Sequence, residues 1–247
     1  MATRTTYEPD RVRSMFNRIA PRYDLLNHLL SSGIDIVWRK KAVRLLQPDA
    51  PEEILDVATG TGDLAFEAAR SLRPRRVVAL DVAGEMMKIG EAKAIRKGLQ
   101  DVVAFTEGSA EFLPFSDASF EAVISSFGVR NFSDLNRGLS ECSRVLKPGG
   151  SVVILEFSTP RKSPMKQLYA LYSRLILPGV GRLVSKDKEA YRYLPETIAG
   201  FPDGEDFLSL LTAAGLESPT QTRLTFGIAT IYHARKPLDR NRNEVRN

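Results

Sequence analysis

Two short apolar runs, each ending in an acid followed by small residues, constrain the fold of this chain most strongly. They are EEILDVATG at 52–60 and RRVVALDV at 75–82. Near-continuous apolar runs of this length are typical of strands in a parallel sheet. Three more such runs follow, at 101–109, 121–128 and 151–157. Helical stretches such as Asp134 to Leu146 separate them. Five strands alternating with helices predict an α/β fold with a doubly wound, mostly parallel sheet.

Helical segments precede and interrupt this alternation. From Tyr7 to about Gln47 the apolar residues fall at helical spacings, which predicts a helical N-terminal lead-in. Residues Ser163 to Leu177 carry a broad apolar stripe, for which core packing, a homodimer contact and a lipid-facing lid all stay open. Residues 221–236 predict one or two closing strands around Gly227.

The length of 247 residues fits a single domain with additions. We expect this domain to span residues 1–236, with a helical cap at 1–50 and a helical insertion after the fifth strand at 160–200. Residues 237–247 are expected to form a basic, disordered tail.

The net charge of +5 does not by itself predict a nucleic-acid partner, and we expect none. Residues 235–247 hold five basic and two acidic residues, so three of the five net charges belong to the tail region. A solvated terminus is favoured over contact with anionic lipid. No run approaches the roughly 20 apolar residues that span a bilayer, and the N-terminus lacks the apolar part of a signal peptide. We therefore expect a cytoplasmic protein, in agreement with its single cysteine.

The turn after the first strand is the predicted cofactor loop. Gly60 and Gly62 allow a sharp turn and close approach of a ligand to the backbone, and Asp81 ends the second strand. With Ala65 these glycines also match a dinucleotide-binding pattern, and Asp81 follows Gly62 by 19 positions, so an NAD-dependent oxidoreductase stays open. Asp63 disfavours that alternative, because it puts an acid where a pyrophosphate needs positive potential.

Longer motifs carry a resemblance to a known family. They are YDLLN at 23–27 with Ser31, Gly33 and Trp38-Arg39; SFGVRN at 126–131; RVLKPGG at 144–150, continuing to LEFS at 155–158; and YRYLP at 191–195. In this combination the chain resembles the demethylmenaquinone methyltransferase family, the C-methyltransferases of menaquinone and ubiquinone biosynthesis. Lys147 to Gly150 resembles the turn that precedes strand five in class I methyltransferases. The resemblance extends over nearly the whole chain.

Three positions depart from the family pattern. Asp35 stands where the family commonly has histidine, and Ser109 replaces the asparagine of an Asn-Ala pair after strand three. Ala58 and Thr59 replace glycines of the first loop. None of these changes removes a group that methyl transfer is expected to need.

The resemblance implies a Rossmann-like class I methyltransferase that uses S-adenosylmethionine. The implied reaction is C-methylation of a reduced quinone with a long isoprenoid tail, from demethylmenaquinol to menaquinol. A polyprenyl benzoquinol of ubiquinone biosynthesis, or another lipophilic phenol, stays open as the substrate. A tailed substrate also implies peripheral contact with the inner face of the membrane. No metal is required, and one cysteine with two distant histidines gives no zinc-binding spacing.

Site residues follow from the loops and from the resemblance. The cofactor contacts are predicted to be Gly60, Thr61, Gly62, Asp81, Ser109, Ala110 and Ser126. Arg130 and Asn131 are predicted to stabilise the developing phenolate or to hold a water that accepts its proton, although a structural ion pair explains Arg130 equally well. Tyr23, Asp24 and Asn27 are predicted to close over the site, with Tyr23 and Asn27 as substrate contacts, although helix capping and packing explain these residues nearly as well. Cys142 is assigned to the core, and His28 and His233 receive no chemical role.

Overall fold

Seven strands form one sheet in the computed structural model, which describes residues 8–31, 33–171 and 188–239. The strands are β1 (Glu53–Val57), β2 (Arg76–Asp81), β3 (Val103–Glu107), β4 (Phe120–Ser126), β5 (Leu146–Phe157), β6 (Glu217–Leu224) and β7 (Ala229–Arg235). Their order across the sheet is β3-β2-β1-β4-β5-β7-β6, with β7 antiparallel to both neighbours and the others parallel. The predicted doubly wound, mostly parallel sheet is confirmed.

Eight α-helices lie within the described residues. They are α1 (Pro9–Ser31), α2 (Ile34–Arg44), α3 (Asp63–Leu72), α4 (Gly84–Lys97), α5 (Leu135–Val145), α6 (described at 165–171), α7 (Lys188–Gly200) and α8 (Glu205–Ala213). Helices α2, α3 and α4 contribute to the core on one face, and α5 and α8 to the core on the other. This two-sided burial explains why β1, β2 and β4 are nearly continuous apolar runs.

The predicted helix at Asp134 to Leu146 is confirmed as α5. The Asp134 carboxylate accepts the backbone N–H of Arg137 at 3.0 Å and so caps the first turn. Cys142 is buried in the core beside Leu139, as predicted, and burial raises the pKa of its thiol to about 12.

The N-terminal lead-in forms two helices, α1 and α2, and α1 lies across the carboxyl ends of the central strands. Phe16 and Tyr23 of α1 pack with Met86 of α4 in a small cluster of their own. The same surface of α1 contributes to the wall of the cavity described below.

Three local expectations differ from the structure or lie partly beyond the described residues. Lys147 to Gly150, predicted as a turn before strand five, instead belong to β5 itself, which changes register against β4 between Phe120 and Ala122. The extra residues form an irregular strand segment rather than a turn. The stripe at Ser163 to Leu177 is described only to residue 171, and residues 240–247 of the tail lie outside the described residues.

The closing segment forms two strands, β6 and β7, joined around Gly227. Over residues 8–31, 33–171 and 188–239, no helix combines the length and the apolar character needed to cross a bilayer.

Candidate active site

A cavity of about 350 Å³ lies at the carboxyl ends of the central strands, under α1. Its wall includes residues of the predicted sites together with residues of α1 and of the loops after β3 and β4: Gly60, Asp81, Ser109, Ala110, Asn131, Tyr23, Phe16, Glu111, Phe112, Phe127 and Gly128 among them. The size is that of a small-molecule site. Ligands of doubly wound sheets bind at this edge because the loops that follow the strands meet there.

The loop after β1 is built around two glycines with left-handed backbone. Gly60 has φ 59° and Gly62 has φ 86°, a region that residues with a Cβ seldom adopt. A Cβ at Gly62 would also lie 2.9 Å from Phe105 Cζ and 3.0 Å from Phe66 Cζ. Gly62 therefore lets α3 begin close to the sheet, while Gly60 faces the cavity.

Asp81, at the end of β2, holds this loop in place. Its carboxylate accepts the backbone N–H of Gly60 at 2.7 Å and that of Ala83 at 2.8 Å. Burial raises the pKa of Asp81, and the N–H groups of Ala83 and Gly60 offset part of this rise. The same carboxylate lines the cavity, so its remaining lone pairs can accept hydroxyl groups of a ligand.

The loop after β3 forms the opposite wall. The Ser109 hydroxyl donates to the Glu111 carboxylate, which also accepts the N–H and hydroxyl of Ser133 at 2.7 and 2.8 Å. Burial raises the pKa of Glu111, but these hydrogen bonds outweigh it and hold the pKa below its usual value. Phe112 is 71% exposed at the cavity wall, and the Arg137 guanidinium lies 5.4 Å from its ring centre. This part of the wall therefore presents the Phe112 ring, which makes a cation–π contact with the Arg137 guanidinium.

Tyr23 and Asn131 line the cavity from α1 and from the turn after β4. Burial raises the pKa of the Tyr23 hydroxyl, although a hydrogen bond with Asn27 and the nearby positive charge of Arg130 lower it. The Tyr193 hydroxyl of α7 donates to Asn131 Oδ1 at 2.8 Å. Since Oδ1 is engaged, the Asn131 amide N–H₂ is the end left to donate. Asn27 does not line the cavity and reaches it only through Tyr23.

Arg130 lies next to the cavity but is held by other groups. Its guanidinium donates to Glu156 Oε1 at 2.7 Å and to the backbone oxygen of Phe127. Both side chains are buried, at 6% and 0% exposure. The structure thus supports the ion-pair interpretation of Arg130. Asn131, the next residue in the chain, lines the cavity instead.

The remaining predicted cofactor residues, Thr61, Gly62 and Ser126, do not line the cavity. Thr61 donates its hydroxyl to Asp24 of α1 at 2.5 Å. Lys93 of α4, itself buried, donates to Asp24 at 2.8 Å, to Thr61 at 3.1 Å and to Asp63 at 2.5 Å. This cluster ties α1 to the cofactor loop and to α3.

A family model matches residues 4–236 of the chain, nearly its whole length. The chain belongs to the ubiE/COQ5 methyltransferase family. It is therefore an S-adenosylmethionine-dependent methyltransferase, as the sequence predicted.

Curated relatives agree with the ubiE/COQ5 assignment. A demethylmenaquinone methyltransferase of Bacteroides fragilis is 47% identical over 92% of this chain and 93% of its own length. A ubiquinone/menaquinone biosynthesis C-methyltransferase of Geobacter sulfurreducens is 43% identical over 95% and 92%.

Among solved structures, a methyltransferase of Thermotoga maritima described as S-adenosylmethionine-dependent has a similar fold. Its TM-score is 0.62 at 20% identity, over 90% of this chain and 99% of that one. The class I methyltransferase fold is thus confirmed.

The cavity of this ubiE/COQ5 protein fits S-adenosylmethionine. Gly60 and Gly128 line it, a Cβ at Gly60 would lie 3.7 Å from Tyr23 Cε1, and Asp81 presents a carboxylate at the end of β2. Family membership also decides against the NAD-dependent alternative. Asp63 does not disfavour a pyrophosphate in the way predicted, because its carboxylate faces Lys93 Nζ and is not a bare negative charge at the start of α3.

Several residues around the cavity were not predicted from the sequence. Phe112, Glu111 and Phe16 line it, and Tyr193 and Lys93 hold groups beside it. Phe16 lies seven positions before Tyr23, on the same helical face, so its periodicity gave a usable signal. Nothing in the local sequence links Lys93 to Asp24.

Proposed function

We propose that this protein methylates a ring carbon of a reduced polyprenyl quinone precursor, with demethylmenaquinol as the first candidate. The observation that carries the proposal is the shared cavity. The cavity presents the carboxylate and glycine backbone that suit S-adenosylmethionine, and Tyr23 and Asn131 line the same cavity. The relatives named as demethylmenaquinone methyltransferases support the choice of substrate.

In the proposed cofactor site, Asp81 accepts both ribose hydroxyls, which strand-terminal carboxylates do in nucleotide-binding folds. Gly60 gives the cofactor close access to the loop backbone. Ser109 and Ala110 lie beside the adenine, and Phe112 offers its exposed ring as a stacking surface. When bound, S-adenosylmethionine supplies a methyl group activated by a positively charged sulfur.

The chain's own groups must then activate and align the quinol. A hydroquinone carbon becomes a good nucleophile when the neighbouring hydroxyl loses its proton, because the charge spreads onto the ring. Asn131 donates its amide N–H₂ to the resulting phenolate oxygen. Tyr23, kept protonated by its raised pKa, donates to the same oxygen, with its hydroxyl oriented by Asn27. These donors favour the ionised quinol before methyl transfer.

A water held by Asn131 accepts the hydroxyl proton in this proposal. Bound S-adenosylmethionine would supply its methyl group to the ring carbon with loss of the sulfur–carbon bond, and the ring carbon would then release its own proton to solvent. Arg130, held by Glu156 and by the backbone oxygen of Phe127, adds positive potential near the phenolate without acting as the base. Alignment of this kind contributes roughly 7–11 kcal/mol in well-oriented reactions.

The setting of the reaction is a prediction as well. A substrate with an isoprenoid tail is embedded in a bilayer, so the protein is expected to work from the cytoplasm, at the inner face of the membrane. A homodimer contact through the Ser163 to Leu177 stripe also stays a prediction.

The proposal is tested by incubating the protein with S-adenosylmethionine carrying a labelled methyl group and with detergent-dispersed quinols. One arm contains demethylmenaquinol and the other a polyprenyl benzoquinol lacking one ring methyl. Mass analysis of the lipid should show the label on a ring carbon of menaquinol. Label only in the benzoquinol arm would change the substrate, and label on a hydroxyl oxygen or in neither arm would contradict the proposal.

A further inference from the structure

The turn between β6 and β7 exposes an aromatic side chain that the proposed chemistry does not use. Phe226 is 78% exposed, although Thr225, Phe226 and Gly227 all have positive φ, at 43°, 57° and 93°. Left-handed backbone is unfavourable for residues with a Cβ and is an outlier for bulky ones. The chain therefore keeps a strained turn without burying the ring that it carries. Strain retained without a packing gain points to a binding role.

The turn has a firm base. Trp38 Nε1 of α2 donates to Thr225 Oγ1 at 2.8 Å. Ser158, just after β5, donates its hydroxyl to the Gly227 oxygen and its N–H to the Ile228 oxygen, both at 2.9 Å. These bonds fix the backbone on which Phe226 projects into solvent.

Two more exposed apolar residues flank Trp38 on α2. Ile34 lies one helical turn before Trp38 and Val37 lies directly before it, so both border the part of the helix that meets the turn. Both are exposed. Ile34, Val37 and Phe226 together are called the Phe226 patch.

The outward face of α2 adds positive charge beside the Phe226 patch. Lys40, Lys41 and Arg44 are exposed, and within the described part of the chain no carboxylate comes within ion-pair distance of them. An aromatic tip beside unpaired cations matches an anionic lipid surface, in which the ring enters the headgroup region and the cations contact phosphates.

The Phe226 patch lies at the same edge of the sheet as the cavity. Ala229, at the start of β7, pairs with Phe157, at the carboxyl end of β5. Trp38, which supports the turn, also lies 6.2 Å from the ring of Phe127, and Phe127 lines the cavity. Trp38 therefore connects the turn that carries Phe226, through its hydrogen bond to Thr225, with the cavity wall, through Phe127.

We propose that the Phe226 patch rests on the anionic surface of a membrane and brings the cavity to its lipid substrate. The inference rests on the proposed function for its physiological meaning, since a tailed quinol lies in the bilayer. Its geometry does not depend on which quinol is methylated.

Vesicle sedimentation of the full chain tests this surface. Vesicles of phosphatidylcholine mixed with phosphatidylglycerol are compared with vesicles of phosphatidylcholine alone. The wild type should bind the mixed vesicles more tightly. Phe226→Ala should lower that affinity about tenfold, because a buried phenyl ring contributes on the order of one power of ten or more. Lys40→Gln and Lys41→Gln should each lower it about fivefold.

Matched controls distinguish the patch from the basic tail, from a generic exposed apolar side chain and from loss of folding. Ile95→Ala shortens an apolar side chain that is 68% exposed on α4, outside the cavity wall, and should leave vesicle binding unchanged. Unchanged affinity of Phe226→Ala for S-adenosylhomocysteine, by calorimetry, will show that the variant is folded. A triple variant, Arg240→Gln with Arg242→Gln and Arg246→Gln, tests the tail.

Three outcomes would overturn the inference: equal binding of wild type to both vesicle types or to neither, an unaffected Phe226→Ala, or loss of binding through the tail variant alone. None of them bears on methylation of detergent-dispersed quinol, so failure of the surface and failure of the proposed function are distinguishable.

Discussion

Replacing Lys93 with methionine tests whether the cluster between α1 and the cofactor loop stabilises the fold. Lys93 Nζ lies 2.8 Å from Asp24 Oδ2 and 2.5 Å from Asp63 Oδ1, and 5.7 Å from the centre of the Phe66 ring. Methionine keeps much of the apolar stem but removes the ammonium. Two carboxylates then lose their cation, while Arg39, 3.9 Å from Asp63, compensates only in part.

The magnitude follows from burial. The Lys93 side chain is 8% exposed, but Asp24 and Asp63 are 32% and 24% exposed, so water screens the acidic ends. Breaking a fully buried pair costs about 3–5 kcal/mol, and exposed pairs contribute about 0–1 kcal/mol. The intermediate burial predicts that Lys93→Met lowers the free energy of unfolding by about 2 kcal/mol.

Urea unfolding at low ionic strength measures this loss, in a double-mutant cycle with Asp24→Asn. The coupling free energy between the two sites should reach about 1 kcal/mol. Lys88→Met is the matched control on the same helix, because Lys88 pairs with Glu85 at 2.7 Å on the exposed face and should give no resolved change. If Lys93→Met unfolds at the wild-type urea midpoint, or the cycle is additive, the ion pairs do not hold α1 in place.

Three further predictions concern the cofactor site and the strand beneath it. Asp81→Asn should weaken S-adenosylhomocysteine binding in calorimetry roughly ten- to hundredfold, since hydrogen bonds to a charged acceptor contribute about 1.5–3 kcal/mol. Because burial raises the pKa of Asp81, the affinity of the wild type should also fall toward acid pH. The asparagine variant should lack this pH dependence. Phe112→Ala should weaken the same binding roughly tenfold through lost stacking, whereas Phe226→Ala should not, and equal effects of the two would exclude a stacking role. Burial raises the pKa of Asp56 from 3.8 to about 7. Between these two pH values the folded state keeps a proton that the unfolded state has lost. The free energy of unfolding should therefore fall with rising pH, by up to about 1.4 kcal/mol per pH unit. Asp56→Asn should flatten this slope in urea unfolding between pH 5 and 7, and an unchanged slope would mean that Asp56 is ionised throughout.

The sequence by itself determined the five parallel strands and the place of the cofactor loop, whereas the order of the strands came from the structure. The apolar runs that end in Asp56-Val57 and in Asp81 are local patterns. Strands buried on both faces need such nearly continuous apolar runs. Parallel strands bring their carboxyl ends to one edge, so Gly60 and Asp81 had to meet there. The family motifs then indicated the chemistry, because they extend over most of the chain.

Only the tertiary structure decided which partner each polar side chain takes. Arg130 pairs with Glu156, 26 positions away, Tyr193 orients Asn131 across 62 positions, and Lys93 meets Asp24 across 69. The support of the turn that carries Phe226 was equally hidden, since its hydrogen-bond partners come from α2 and from the residue after β5. Local sequence determines backbone preference and the pattern of burial. A buried charged side chain pairs instead with whichever element packs against it, and the fold as a whole decides which element that is.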